Sequence, residues 1–232
     1  MYELKDRIII VTGAAGGMGA DLCRRLAQEG AHLALCGRSQ EKLMQLAEEL
    51  PQDTLVAALD VANERQVADF FGQIQERFGG ADALINLAGR SIPGQIAEMD
   101  EASYDQMLDT NVKGTFLCSK HFIPLARENA QIINVASMAA IRANGTAPVY
   151  CTSKAAVNMF SQGLAIQLAP RGIRVTTVNP AGTDTPFWGS RPVVRERLLK
   201  AQDVTETLLF VLKAAPHVVF SQINLESFNA MK

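Results

Sequence analysis

Tyr150 and Lys154 are the two residues of this sequence whose types and spacing best suit proton chemistry. Side chains four residues apart lie on the same face of a helix, so a helix here brings a phenol and an ammonium together. An ammonium about 5 Å from a phenol, at an effective dielectric constant of ~20, stabilises the phenolate by roughly 3 kcal/mol. We therefore expect Lys154 to lower the pKa of Tyr150 by about 2 from its usual value near 10. The alternative for an isolated pair of this kind is an exposed lysine beside a half-buried tyrosine.

A glycine-rich segment at residues 13–19 follows an apolar run at residues 7–12 that contains several β-branched side chains. Such a run is typical of a strand buried on both faces of a parallel sheet. Glycines after a strand allow a tight turn and let backbone N–H groups approach a pyrophosphate at the start of the next helix. The segment therefore predicts the first half of a nucleotide-binding βαβ unit rather than a plain strand–helix turn.

Strands and helices alternate along the chain, which predicts an α/β fold with a doubly wound parallel sheet. We expect residues 1–232 to form a single-domain Rossmann fold with about seven strands. A helix at residues 103–127 contains Asn111 and Gly114, which are poor interior helix residues, so we expect a kink or a local function there. The predicted strands lie at residues 7–12, 31–36, 54–59, 83–87, 131–136, 174–179 and 218–225.

Polar residues are concentrated where the predicted strands end. Ligands of doubly wound sheets bind outside the carboxyl ends of the strands. This concentration therefore indicates a ligand site at one end of the sheet, close to the helix that carries Tyr150. Besides the glycine-rich segment, the residues at these ends are Arg38, Asp60, Asn86, Ser137 and Asn179.

These motifs, in this order, resemble those of the short-chain dehydrogenase/reductase family over almost the whole chain. Each motif is weak alone, whereas the set is specific. The resemblance implies an NAD(P)-binding Rossmann fold and hydride transfer between a nicotinamide and a carbonyl or secondary alcohol. Leu87 and Ala181 depart from the family, which often has Asn and usually has Gly there. The matching segments are Thr12-Gly13-x-x-x-Gly17-x-Gly19, Asp60-Val61, Asn86-Leu87-Ala88-Gly89, Asn111, Ser137, Tyr150-x-x-x-Lys154 and Asn179-Pro180-Ala181-Gly182.

The resemblance implies a role for each of four catalytic residues. Ser137 would hydrogen-bond the substrate oxygen, and Tyr150 would give that oxygen a proton in the reduction direction. Lys154 would lower the pKa of Tyr150 and hold the nicotinamide ribose. Asn111 would position a water that links Lys154 to solvent. Without the other three, Ser137 would equally fit a strand-end hydroxyl bonded to the backbone.

The resemblance also implies which residues contact the cofactor. Thr12 and Asn86 would brace the loops around it, and Asp60 with Val61 would contact the adenine. No metal site is expected. The cofactor-binding set is Thr12, Gly13, Gly17, Met18, Gly19, Arg38, Asp60, Val61, Asn86, Ala88, Gly89, Tyr150, Lys154, Pro180, Gly182, Thr183 and Thr185.

Gly37 and Arg38 bear on the choice between NAD(H) and NADP(H). An NAD-dependent enzyme places a carboxylate at the end of the second strand, where it accepts hydrogen bonds from the ribose 2′-hydroxyl. Here that position is Gly37 and the next carboxylate is Glu41, while Arg38 offers a guanidinium suited to a 2′-phosphate. Gly16 points the other way, because many NADP-dependent members of the family carry Lys or Arg there. We expect a moderate preference for NADP(H), with NAD(H) possible.

Composition and charge argue against several other classes of protein. The 232 residues carry a net charge of −2 and no run of Lys or Arg, so we expect no nucleic-acid partner and no anionic membrane surface. No apolar run approaches the ~20 residues that span a bilayer, and residues 1–7 do not form a signal-peptide core. The four cysteines form no C-x-x-C pair, which is typical of reduced thiols in a cytoplasmic protein.

Three alternative functions share part of this motif set. A Rossmann-like methyltransferase would have the glycine loop but no use for Ser137, Tyr150 and Lys154 together. A sugar-nucleotide epimerase of the extended family would need a larger C-terminal substrate domain. A catalytically idle NADP(H)-binding regulatory protein would bind the cofactor and turn over nothing.

Two further expectations concern assembly and substrate. Apolar residues cover more than one face of the predicted helices at residues 103–127 and 150–169, which predicts a homodimer or homotetramer. The substrate should be a small-molecule carbonyl compound or alcohol. Three arginines lie in loops around the expected pocket, and the sequence favours solvated side chains over an anion site there. They are Arg90, Arg142 and Arg191.

Overall fold

The computed structural model describes residues 2–51 and 54–232. Its strands are β1 (Ile8–Thr12), β2 (His32–Gly37), β3 (Leu55–Ala58), β4 (Ala81–Asn86), β5 (Ala126–Val135), β6 (Arg174–Pro180), β7 (Thr183–Asp184), β8 (Leu199–Lys200) and β9 (Gln222–Leu225). Seven of them form one parallel sheet in the order β3-β2-β1-β4-β5-β6-β9. This order confirms the predicted doubly wound α/β fold of Rossmann type. The remaining two, β7 and β8, pair only with each other.

Several helices begin where the sequence provides a side-chain cap or a proline. Ser39 and Asn63 accept backbone hydrogen bonds at the start of the second and third helices, and Gly79 ends the third in a left-handed conformation. None of the helices within the described residues combines the length and apolar content that a bilayer crossing requires. They are α1 (Gly17–Gln28), α2 (Gln40–Glu48), α3 (Glu64–Phe78), α4 (Glu101–Leu108), α5 (Gly114–Phe122), α6 (Pro148–Leu168) and α7 (Ala201–Leu212).

The sheet is buried on both faces, which explains why its strands are continuously apolar. Successive residues of a strand point to opposite faces. In β1, Ile9 and Val11 therefore pack with α1, α2 and α7, whereas Ile8 and Ile10 pack with α3, α5 and α6. The two apolar layers leave the carboxyl ends of the strands free to carry polar residues.

The predicted helix at residues 103–127 is wrong at its end, where residues 123–127 leave the α-helix, and a π-helical turn interrupts its middle. After α4 the chain forms a π-helical turn at Asp109–Lys113, then α5, a 3₁₀ turn at Ile123–Leu125 and the start of β5. Pro124 has no N–H group and cannot continue the helical hydrogen bonds, so the helix ends there. The kink expected around Asn111 is confirmed as the π-helical turn.

The seventh strand of the sheet is shorter than predicted. It begins at Gln222 rather than at Val218, and its first partner on β6 is Thr177. The carbonyl of Val218 instead accepts a hydrogen bond from the Arg174 guanidinium at 2.9 Å. This side-chain contact removes Val218 from the ladder, although its residue type favours a strand.

Candidate active site

A cavity of about 660 Å³ opens at the carboxyl ends of β4, β5 and β6. Its wall combines the loops after these strands with the first turn of α6 and the segment that follows β7. About half of the residues expected to act on substrate or cofactor meet here. Nine of them line the cavity: Met18, Gly89, Ser137, Tyr150, Lys154, Pro180, Gly182, Thr183 and Thr185.

Ser137 and Tyr150 present their hydroxyl groups to the same region of the cavity. Tyr150 stands in the first turn of α6, which starts at Pro148 because proline suits the first helical position. Ser137 follows β5, and its Oγ accepts the N–H of Ala139 at 3.1 Å. A side-chain hydrogen bond from Ser137 also acts on the Tyr150 phenol. The two hydroxyls can therefore bind one oxygen atom together.

The expected fall in the pKa of Tyr150 is wrong for the protein without ligands. The surrounding protein excludes water from the phenol, and this desolvation raises its pKa above the usual 10, against the hydrogen bond from Ser137. Lys154 is only 5% exposed, and desolvation lowers its pKa to about 8. Burial therefore disfavours the charged form of both groups, and in the protein without ligands this outweighs the effect expected from their spacing.

Lys154 occupies a narrow space behind Tyr150. Its Nζ lies 6.0 Å from the centre of the Tyr150 ring and donates to the carbonyl oxygen of Val135 at 2.9 Å. Gly89 closes the other side, since a Cβ there would lie 3.3 Å from Nζ and 3.5 Å from Oδ1 of Asn111. Lys154 and Asn111 therefore face the same small residue from two directions.

Asn111 is fully buried in the π-helical turn and connects three elements. Its Oδ1 accepts the N–H of Arg90 at 2.8 Å, and its Nδ2 donates to the carbonyl of Arg90 at 2.9 Å and to Oγ of Ser153 at 2.8 Å. Ser153 was not predicted as part of the site. Its only signal in the sequence is its place beside Lys154 in α6.

The glycine-rich segment is held against the loop that follows β4. Oγ1 of Thr12 accepts the N–H groups of Leu87 and Ala88, both at 3.1 Å. Gly13 adopts φ +66°, and a Cβ there would lie 2.9 Å from Cα of Ala88. Only glycine allows this conformation and this approach together.

The same segment also contacts the residues after β6 on its other side. A Cβ on Gly17 would lie 2.8 Å from Cβ of Thr185. The N-cap of α1, Gly16, has no side chain to accept hydrogen bonds, and the first turn of this helix contains no acidic residue. Its first N–H groups are therefore suited to bind an anion.

Two predicted asparagines brace the sheet rather than line the cavity. Nδ2 of Asn86 donates to Oδ1 of Asn134 at 2.9 Å, and Nδ2 of Asn134 donates to Oγ of Ser161 on α6 at 2.8 Å. Asn179 likewise donates to Asn224 of β9 at 3.0 Å. Asn134 and Ser161 were missed, although a lone amide in the apolar run of β5 is a visible signal.

Arg38, Asp60 and Val61 lie outside the cavity, at the ends of β2 and β3. Arg38 is exposed and forms no ion pair with a carboxylate of the described residues. Oδ1 of Asp60 accepts the N–H of Ala62 at 2.9 Å, whereas Val61 is buried against Gly114. With the glycine-rich segment, they extend the line of predicted residues along the carboxyl end of the sheet.

Comparison with known sequences identifies the family of this chain. The family model described as short chain dehydrogenase matches residues 7–193. An uncharacterised oxidoreductase of Staphylococcus aureus strain USA300 is 33% identical over 228 residues, which cover 97% of this chain and 99% of that protein. The similarity thus extends over nearly the full length of both chains.

Solved structures show the same fold. A short chain dehydrogenase from Burkholderia cenocepacia J2315 in complex with NADP is 28% identical, with a TM-score of 0.90 and coverage of 98% of this chain and 99% of that chain. An alcohol dehydrogenase from the archaeon Thermococcus sibiricus complexed with 5-hydroxy-NADP is 25% identical, with a TM-score of 0.89 and coverage of 97% and 98%. The present chain belongs to the short-chain dehydrogenase/reductase family of oxidoreductases.

Proposed function

We propose that this protein, acting as one domain over residues 1–232, interconverts a carbonyl compound and its alcohol with a nicotinamide cofactor, preferring NADP(H). The observation that carries the proposal is the convergence of Ser137, Tyr150 and Lys154 in one cavity with Met18 of the first turn of α1. A proton donor, a second hydroxyl and a cation are thereby placed beside the segment suited to bind a dinucleotide.

The residues present fit a dinucleotide cofactor. The uncapped N-terminus of α1 suits a pyrophosphate, and the close packing of Gly13 and Gly17 leaves the backbone accessible there. Thr183 and Thr185 line the cavity on the side where a nicotinamide would meet Tyr150. Two structural relatives are described in complex with NADP or 5-hydroxy-NADP, which supports a cofactor of this class.

A bound reduced nicotinamide supplies the hydride that reduces the carbonyl carbon. Negative charge then develops on the substrate oxygen, and the hydroxyls of Ser137 and Tyr150 would donate hydrogen bonds to it. Tyr150 would transfer its proton to that oxygen, because its raised pKa keeps the phenol protonated at neutral pH. In the oxidation direction the phenolate form of Tyr150 would accept the proton of the alcohol.

Lys154 and Asn111 would restore the proton of Tyr150. The pKa of Lys154 near 8 makes both its charged and its neutral form accessible close to neutral pH. In its charged form, Lys154 would stabilise the phenolate that proton transfer leaves on Tyr150 and would hold the nicotinamide ribose. Asn111 approaches Gly89 close to Lys154 and would position a water between Lys154 and solvent.

Arg38 supports the preference for NADP(H). It follows Gly37 at the end of β2, where an NAD-dependent enzyme would carry a carboxylate. Its exposed guanidinium forms no ion pair with a carboxylate of the described residues and can pair with a 2′-phosphate.

A substrate panel tests the proposed function. The purified protein is mixed with NADPH or NADH and a series of ketones and aldehydes, and with NADP⁺ or NAD⁺ and the matching alcohols, while absorbance of the reduced nicotinamide is followed. We expect turnover of at least one pair, faster with the phosphorylated cofactor. Tight cofactor binding without turnover of any member would favour the regulatory alternative.

A further inference from the structure

The three loop arginines around the cavity have different surroundings. Arg142 lies in the cavity wall but forms an ion pair with Glu226, so its charge is balanced. Arg90 is tied through its backbone to Asn111, and its neighbours Gly89 and Ser91 line the cavity in its place. Arg191 also lines the cavity, and no carboxylate among the described residues forms an ion pair with it.

The guanidinium of Arg191 is held in a fixed position. Its central carbon lies 5.3 Å from the centre of the Phe187 ring and 4.9 Å from the centre of the Trp188 ring. Nε donates to the carbonyl oxygen of Trp188 at 2.9 Å, and Nη2 donates to the carbonyl oxygen of Phe187. These hydrogen bonds occupy one edge of the guanidinium, and its central carbon lies close to two aromatic rings.

The opposite end of this guanidinium has hydrogen-bonding capacity left over. A guanidinium carries five N–H groups in a planar fork. Within the part of the chain that the structure describes, the N–H groups of Nη1 on Arg191 donate to no protein acceptor. A pre-positioned cation with free donors therefore stands in the wall of the cavity.

This cation lies within electrostatic reach of the reacting hydroxyl. Phe187, which packs on Arg191, also contacts Tyr150, with ring centres 6.3 Å apart. The positive charge of Arg191 acts to lower the pKa of Tyr150, although desolvation of the phenol is the larger effect. A molecule whose carbonyl oxygen binds Ser137 and Tyr150 can therefore place a second group at Arg191.

We propose that Arg191 binds a carboxylate of the substrate, so that this enzyme acts on oxo acids or hydroxy acids rather than on neutral ketones. The inference rests on the proposed function, which places the reacting carbonyl at Tyr150. The free end of the guanidinium matches the two oxygens of a carboxylate in a bidentate, charge-assisted pair. Apolar groups elsewhere in the wall, such as Leu87, Pro93 and Val193, suit the carbon chain between the two ends.

Matched pairs of oxo acids and their methyl esters test this inference. Pyruvate, acetoacetate and levulinate vary the separation of carbonyl and carboxylate, and each ester removes only the charge. Trp188 is the single tryptophan of the chain and contacts Arg191, so its fluorescence reports binding directly. Titrations are done at saturating NADP⁺, where the oxo compounds bind without turnover.

At least one acid should bind the wild-type protein roughly 10- to 100-fold more tightly than its ester, as expected for a hydrogen bond to a charged group. Arg191→Gln should abolish this ratio while leaving ester and NADPH affinity nearly unchanged. Arg191→Lys keeps the charge without the planar fork and should give an intermediate ratio. Arg197→Gln removes an exposed charge of the same segment outside the cavity wall and should change nothing.

Several results would overturn the inference. They are equal affinity for acid and ester, no binding of any acid, an acid preference that survives Arg191→Gln, or a loss of NADPH affinity in that variant. If Arg191→Gln also loses ester binding, this variant no longer isolates the effect of the charge. The ratio of acid to ester affinity in the wild type and in Arg191→Lys then tests the inference. Acid-selective binding without turnover would support the carboxylate site and reject the proposed reaction. Equal turnover of acid and ester would support the reaction and reject the carboxylate site.

Discussion

Nζ of Lys154 lies 6.0 Å from the centre of the Tyr150 ring, yet the pKa of the phenol is raised above its usual value. Desolvation acts on both groups and disfavours the charged form of each, so the pKa of Tyr150 rises and that of Lys154 falls to about 8. Without ligands, Tyr150 is therefore a protonated acid at neutral pH, and Lys154 is the group of the pair that titrates near the physiological range.

Tyr150→Phe keeps the ring and deletes the proton donor. We expect turnover to fall at least ~100-fold, while NADPH affinity stays within about twofold of the wild-type value. Steady-state kinetics and a fluorescence titration of NADPH measure the two quantities separately. Tyr104→Phe removes the same atom from an exposed tyrosine of α4 and should be silent. Wild-type turnover by Tyr150→Phe would reject the proposed mechanism.

The pH dependence of ketone reduction should follow Lys154. The ratio kcat/KM reports groups of the free enzyme, so it should be constant at low pH and decline above about pH 8, where Lys154 loses its charge. Tyr150 titrates only at higher pH because its pKa is raised. Lys154→Arg, which stays charged, should move the decline upward. A profile that is flat between pH 7 and pH 10 in the wild type contradicts this assignment.

Lys154 should also make the stability of the protein depend on pH. Its pKa is about 8 in the folded protein against an ordinary 10.5, so between these values the unfolded chain binds more protons and stability rises with pH. Below pH 8 the full cost of burying the charge is present. Lys154→Met should therefore raise the free energy of unfolding at pH 7, by at most about 3 kcal/mol.

This gain should be small by about pH 10.5, where Lys154 is neutral in the folded protein and half neutral in the unfolded chain. Urea unfolding of the protein without cofactor, at pH 7 and at pH 10, measures the difference. Lys42→Met alters an exposed lysine of α2 and serves as the control. The contrary result would be a Lys154→Met variant that is destabilised relative to the wild type, and more so at pH 7 than at pH 10. It would show that the hydrogen bond to Val135 outweighs desolvation.

The fold was predictable because its signals are local. Apolar runs, caps such as Ser39 and Asn63, and the glycine-rich segment each act through neighbouring residues. Pro124 is also a local signal and could have predicted the end of the helix, but the apolar residues on both sides of it fit a continuing helix. The late start of the last strand, at Gln222 instead of Val218, could not be predicted in this way, because the contact between Val218 and Arg174 joins distant parts of the chain.

The site was predictable in composition but not in its electrostatics. The sequence places a phenol and an ammonium on one helix face, but it does not tell how much water reaches either group. The balance between desolvation and attraction at Tyr150 therefore appeared only in the structure. The same holds for Arg142 and Arg191, which look alike in the sequence. They differ in the structure because Glu226 forms an ion pair with Arg142.

Exposed apolar residues on α5 and α6 predict self-association. Phe116, Met159 and Ile166 are 46%, 67% and 79% exposed on helices that otherwise pack on the sheet. We expect a dimer or tetramer at micromolar concentration by light scattering. Ile166→Glu should shift the protein toward the monomer, whereas Phe210→Glu on α7 should not. A monomeric wild-type protein would exclude assembly through these helices.

The cofactor preference should depend on Arg38. A charged hydrogen-bonded contact with a 2′-phosphate contributes roughly 1.5–3 kcal/mol, so Arg38→Ala should weaken NADPH binding by about 10- to 100-fold and leave NADH binding almost unchanged. Arg65→Ala, which removes an exposed charge from the first turn of α3, controls for the general loss of positive potential. Fluorescence titration of the wild type and both variants with each reduced cofactor measures the six affinities. Tighter binding of NADH than of NADPH by the wild-type protein would overturn the assignment, because Arg38 would then contribute no preference for the 2′-phosphate.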